Sequence, residues 1–159
     1  MLRGLLERSA ATGPADPFMG SAGLEILLNR TYSEASEGSA EDQRYKEILG
    51  TVIRDLASAG NVVIQGRGAQ AILGNDPNAT HIFIHAPIPR RIERLIARDG
   101  NTTEQAERRI KDSDRARAEF HQKYFRIDHL DPVNYHLVLN SGRYSDDKAA
   151  SIVVDATRA

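Results

Sequence analysis

Helical stretches alternate with short apolar runs along most of this chain, and that alternation constrains the fold more than any other feature. The runs are Val62-Val63-Ile64-Gln65, His81-Ile82-Phe83-Ile84-His85 and His136-Leu137-Val138-Leu139-Asn140. Each is too short for a helix and rich in β-branched or aromatic residues, as buried strands are. Between them lie segments of helical period. In Glu41–Ala59 the residues Ile48, Leu49, Val52, Ile53 and Leu56 form one apolar stripe, and Gly60-Asn61 ends the helix. Further helices are expected at Ala69–Leu73 and Arg90–Arg98. A long one runs from Thr102 to about Tyr124, with Gln105 placed to complete a capping box. A last one is capped by Ser145 and carries Ala149, Ile152, Val153 and Ala156 inward. Strands separated by helices predict an α/β layer fold, a short parallel sheet flanked by helices. Three strands are few for a sheet that must be covered on both faces, and its free edge allows pairing with a second copy of the chain in a homo-oligomer.

The first 40 residues read differently. Gly13, Pro14, Pro17, Gly20, Gly23 and Gly38 punctuate them, leaving a short helix near Leu24–Arg30 and otherwise loop. The expectation is one domain over residues 1–159, with an irregular to helical segment at 1–40 and the core at 41–159. An apolar content of 40% and a charged content of 27% are ordinary for a globular protein. A net charge of -1 gives no sign of a nucleic-acid or anionic-membrane partner. No apolar run approaches the roughly 20 residues of a membrane helix, no signal peptide is visible, and the cytoplasm is the default. The absence of cysteine excludes disulfides, thiol catalysis and cysteine metal sites. The five histidines show no metal-ligand spacing, so no metal site is expected.

Charge is unevenly distributed. Residues 90–126 hold 11 Lys/Arg against 7 Asp/Glu, an arginine-heavy island in an otherwise acidic chain. Arginine presents a planar fork that suits phosphate. Three places draw attention. Gly66-Arg67-Gly68 turns a strand into a helix, where backbone can approach a ligand and the helix terminus favours an anion; a surface arginine in a glycine turn is the plainer alternative. On the long helix, Ala106, Ile110, Asp114, Arg117 and His121 share one face that begins apolar and turns ionic. Asp114 and Arg117 either form an exposed i, i+3 pair or hold a sugar hydroxyl and a phosphate. Arg91 and Arg94 stand one turn apart near the start of a helix that follows a strand. They either decorate a solvated face or reach transferring phosphoryl oxygens.

Taken together, these strings resemble the cytidylate-kinase-like family of P-loop nucleoside monophosphate kinases. Asn61-Val62-Val63-Ile64-Gln65-Gly66-Arg67-Gly68-Ala69 is similar to the family's "GRG" segment. Arg91-x-x-Arg94 follows the next strand. Asp114-x-x-Arg117-x-x-Phe120 and the closing Asp131-Pro132-x-Asn134-Tyr135-x-Leu137-x-Leu139-Asn140 come in the family's order. The resemblance implies an incomplete P-loop kinase-like three-layer fold and phosphoryl transfer from ATP, with Mg2+, to a nucleoside monophosphate of the cytidylate type. It implies that Arg67, Asp114 and Arg117, with Arg109 as a further candidate, hold the acceptor. It implies that Arg91 and Arg94 belong to a mobile lid over the donor phosphates. There are two departures. Gly68 stands where cytidylate kinases carry an aspartate that helps recognise cytosine, which leaves the base open. No GxxxxGK[ST] string occurs, because none of Lys46, Lys111, Lys123 and Lys148 follows a glycine. Gly20-Ser21-Ala22-Gly23 is the nearest glycine string, and it follows no apolar strand. By the same likeness the chain is expected to begin roughly 50 residues late, about the size of one βαβ unit, and a non-catalytic nucleotide-binding or partner-binding module is the alternative to an active kinase.

Overall fold

A computed structural model describes residues 40–158. The chain divides into two compact units, residues 1–49 and 50–159. The helix expected near Leu24–Arg30 lies outside the described residues. The first described element, α1, spans Ala40–Ser58 and carries Glu41 and Asp42 in its first turn, where the helix dipole favours negative charge. It ends at Gly60, whose φ of 69° is left-handed.

The rest of the second unit follows the expected order, with one exception. Helix α2 spans Ala69–Leu73, β1 Ile82–His85, α3 Ile88–Asp99 and α4 Thr103–Phe125; a 3-10 turn occupies Pro132–Asn134, β2 spans Leu137–Asn140 and α5 Asp146–Ala156. Val62–Gln65 forms no strand, and Val63 is 95% exposed. The run is hemmed between left-handed residues, Gly60 and Asn61 before it and Gly66, Arg67 and Gly68 after it. A β-branched run expresses its preference only beside a neighbour that offers hydrogen bonds and side-chain packing, and no described strand lies alongside.

The sheet of the described residues has two strands. β1 and β2 pair in parallel, with Ile82 opposite Leu137 and His85 opposite Asn140. The ladder extends one step at either end, from His136 N–H to the His81 carbonyl and from Ser141 N–H to the His85 carbonyl, both at 2.8 Å. Leu139 is buried, whereas Ile84 and Val138 stay exposed. Parallel strands need a crossover, and here α3 and α4 supply it as a helical hairpin.

The hairpin is shaped at three points. Pro87 and Pro89 start α3, where a missing N–H costs nothing. Gly100, at φ 67°, ends it with its N–H on the Ile96 carbonyl. The Thr102 and Gln105 capping box starts α4, each side chain accepting from the other's backbone. Leu95, Ala106 and Ile110, with Ile92 against them, form the small apolar core between the two helices. Ser145 caps α5 by accepting from Lys148 N–H.

Candidate functional site

The loop before α2 sets one side of the site. Gly66, Arg67 and Gly68 are consecutive left-handed residues, with φ of 71°, 59° and 66°. Arg67 has a Cβ, so its conformation costs about 1 kcal/mol. The loop turns tightly, Ala69 N–H reaching the Gly66 carbonyl at 3.1 Å. Gly68 is buried against Phe125 at the end of α4. A Cβ at position 68 would come within 2.2 Å of the Phe125 ring, so no side chain fits there. The Phe125 ring therefore fills the space that a side chain at position 68 would take.

The α3–α4 hairpin sets the other side. Arg91, in the first turns of α3, reaches Asp114 on α4 through two parallel hydrogen bonds of 2.7 Å. Such fork-to-carboxylate pairs are the strongest of the side-chain ion pairs. Arg117 approaches the same carboxylate at 3.4 Å from one turn on. One carboxylate thus stands between two guanidiniums. Burial works against ionisation of Asp114. The hydrogen bonds and charge of Arg91, followed by the charge of Arg117, outweigh it and hold the carboxyl below the usual range.

Two histidines lie beside this cluster. His121 and His129 are each 5% exposed, and their rings stack at 5.0 Å with planes 20° apart. His121 Nδ1 lies 2.8 Å from the Arg117 carbonyl. A carbonyl only accepts, so that nitrogen carries the proton. Burial lowers the pKa of both rings; at His121 the hydrogen bond to the Arg117 carbonyl opposes this and the Arg117 charge adds to it, while at His129 the neighbouring His121 and Arg117 add to it. Tyr135 bolts this corner together. Its hydroxyl donates to the His129 carbonyl at 2.7 Å and accepts from Gln70 of α2 at 3.4 Å, and its ring stacks on Phe83 of β1. Burial pushes its phenol up.

Arg94 and Arg109 go elsewhere. Arg94 donates to the Ser141 hydroxyl and carbonyl at 3.3 and 3.2 Å and to Asp146 at 3.1 Å, which fastens α3 to the end of β2 and the start of α5. Arg91 and Arg94, read as a pair from their spacing, face different partners. Arg109 pairs with Asp99 at 2.6 Å at the turn of the hairpin, about 12 Å along the helix from Arg117 by helical rise. Asp114 and Arg117 therefore meet Arg91, and not Arg109. His129, Tyr135, Phe125 and Ser141 were not singled out in the sequence. Their signal was faint, because the left-handed Arg126 that folds His129 back onto His121 has no mark in the local sequence. Among the described residues, no three His, Asp or Glu side chains converge in a way that fits a metal ion. The Asp114 carboxylate already faces two cations. These residues do not fit Mg2+, and no step is derived through it.

A short parallel sheet, crossed by a helical hairpin with an arginine and aspartate cluster at its base, defines a kinase-like α/β domain. The chain belongs to the cytidylate kinase-like family, whose family model matches residues 12–143. It is 31% identical over 108 residues to a cytidylate kinase of Methanopyrus kandleri, covering 63% of this chain and 56% of that protein. It is 29% identical over 127 residues to a cytidylate kinase of Natronomonas pharaonis, covering 79% of this chain and 66% of that protein. The chain thus spans less than two thirds of the length of these two relatives. A crystal structure of an uncharacterized protein from Eubacterium ventriosum shares the fold, with a TM-score of 0.67 and 20% identity over 98% of this chain and 81% of that one.

Proposed function

We propose that this chain binds a nucleoside monophosphate and supplies the acceptor side of a cytidylate-kinase-type phosphoryl transfer. The observation that carries this reading is the Asp114 carboxylate held between Arg91 of α3 and Arg117 of α4. A ligand phosphate competes for both guanidiniums, and a ribose hydroxyl takes their place on the carboxylate. In this reading Arg117 and Arg67 pair the acceptor phosphate, Asp114 accepts from the sugar, and Arg91, once released, turns toward the transferring oxygens. The catalytic benefit of such groups is electrostatic and positional. Arg94, tied to Ser141 and Asp146, holds α3 in place for this exchange. The donor implied by the family is ATP with Mg2+.

Isothermal titration of the full chain with CMP, UMP, AMP and GMP tests the reading. At least one monophosphate is expected to bind, and Arg117→Ala is expected to weaken it by about tenfold to a hundredfold, the loss of a charge-assisted pair. Four flat titrations would refute it. A second reading is nucleotide binding without transfer. Formation of a nucleoside diphosphate from the bound monophosphate and ATP with Mg2+ decides between the two.

A further inference from the structure

Arg91 and Arg117 hold one carboxylate with unequal grips. Arg91 meets Asp114 fork to fork, Nη1 on one oxygen and Nη2 on the other, both at 2.7 Å. Arg117 reaches one of those oxygens from 3.4 Å and the Ser113 hydroxyl from the same distance. The edge that Arg91 spends on Asp114 is the edge with which a guanidinium takes a phosphate in two parallel bonds. It cannot lie on a carboxylate and on a phosphate at once, so Arg91 is occupied while the pair lasts. Arg117 has only long bonds to give up.

Exposure separates the partners further. The Asp114 side chain is 41% exposed and that of Arg91 21%, so a ligand group reaches the carboxylate more readily than the guanidinium. The helix that carries Arg91 is held in place. Arg94, one turn on, bonds the Ser141 hydroxyl and carbonyl and Asp146, and Leu95 packs with Ala106 and Ile110 of α4. Arg91 therefore leaves Asp114 by turning its own side chain, with α3 fixed.

We propose that Asp114 is a latch that withholds Arg91 from a second anion until the sugar of a bound monophosphate takes its place on the carboxylate. This rests on the acceptor-site reading and adds an order to it. The monophosphate binds at Arg117 while Arg91 is still latched, a sugar hydroxyl donates to Asp114, and the freed fork of Arg91 takes a polyphosphate. Two anions bound close together repel, and each weakens the other. The latch reverses that sign, and by linkage the second anion tightens the first as much as the first tightens the second.

The test is calorimetric titration of the full chain with tripolyphosphate, alone and with saturating CMP, at one ionic strength because salt screens such interactions. In the wild type, CMP is expected to strengthen tripolyphosphate binding by about fivefold to a hundredfold, the usual span of coupling between sites. Ribose 5-phosphate, which carries the sugar, is expected to do the same. Inorganic phosphate, which has no sugar for Asp114, is expected to weaken tripolyphosphate or leave it unchanged. Asp114→Asn, whose neutral amide holds a guanidinium weakly, is expected to bind tripolyphosphate about tenfold more tightly than wild type without CMP. Adding Arg91→Gln is expected to cancel that gain. Asp99→Asn removes the same charge at the turn of the hairpin and is expected to stay within about twofold of wild type, which separates a latch from a general loss of negative charge. If Asp114→Asn does not fold, the wild-type comparison of CMP, ribose 5-phosphate and inorganic phosphate decides alone. Tripolyphosphate that binds in neither state, that is not strengthened by CMP, or that is strengthened equally by inorganic phosphate overturns the proposal. So does a gain in Asp114→Asn that survives Arg91→Gln or appears equally in Asp99→Asn. These outcomes leave the acceptor-site reading standing. Failure of CMP to bind, or equal binding of CMP to wild type and Arg117→Ala, overturns that reading and the proposal with it.

Discussion

The two ends of the α3–α4 hairpin use the same side chains in different surroundings. At the turn, Asp99 is gripped by Arg98 beside it in sequence and by Arg109 across the hairpin. The hydrogen bond from Arg98, then the charges of Arg98 and Arg109 acting against a modest desolvation, hold its carboxyl at about 2. At the base, Asp114 is gripped by Arg91 and Arg117, but burial opposes its ionisation and two neutral histidines stand behind it. The charge count is the same at both ends, two guanidiniums on one carboxylate. The surroundings differ: the turn end is closed on itself, whereas the base end lies beside two buried rings.

Glycine makes the same contrast and gives the largest expected effect. Gly100 at the turn and Gly68 at the base have nearly identical φ, 67° and 66°. A Cβ at Gly100 meets nothing within 4 Å, whereas one at Gly68 runs into Phe125. Gly100→Ala therefore costs only the left-handed conformation, about 1 kcal/mol. Gly68→Ala adds overpacking of about 1–3 kcal/mol, for a total of about 2–4 kcal/mol. Urea denaturation of the two variants measures the difference, and equal losses would show that the base end is no tighter than the turn.

Acid separates the ends next. His121 and His129 have folded pKa values below their ordinary 6.5. The unfolded chain therefore binds more protons as pH falls past 6.5, so the stability these rings contribute is full above that pH and is lost below it. Asp99, ordinarily at 3.8 and here at about 2, keeps its contribution until pH falls through that lower window. Melting temperature is expected to drop between pH 7 and pH 5 through the base end alone, and a double His121→Phe, His129→Phe variant is expected to flatten that segment. A wild type that holds its melting temperature to pH 4 would break the contrast.

These differences were partly legible in the sequence. The capping box at Thr102, the cap at Ser145 and the bounds of Ala69–Leu73 follow from nearest neighbours and appear as expected. The α/β layering follows from alternation. Val62–Gln65 did not become a strand, because a strand is defined by a partner that a local pattern cannot supply. Asp114 and Arg117 were legible as an i, i+3 pair. The stronger bond to Arg91 was not, since it joins residues 23 apart through a hairpin whose register depends on where Gly100 and Thr102 turn the chain. The same limit separated Arg91 from Arg94: spacing placed them on one helix, while packing sent one to α4 and the other to β2 and α5.

The smallest expected effect is also the sharpest check on which end matters. Arg109 was a further candidate for the acceptor phosphate by the family resemblance, yet its guanidinium lies on Asp99 at the rim. Arg98 bonds the same carboxylate through two hydrogen bonds of 2.7 and 2.8 Å. Removing Arg109 leaves Asp99 paired, so Arg109→Ala is expected to cost under about 1 kcal/mol, the range of exposed ion pairs. Monophosphate affinity is expected to stay within about twofold of wild type, as for sites more than about 10 Å apart without shared partners. An affinity loss comparable to that of Arg117→Ala would mean that the hairpin folds over its ligand far enough to bring the turn to the base. The two ends would then be halves of one site, and the Asp114 cluster would be only part of what the ligand meets.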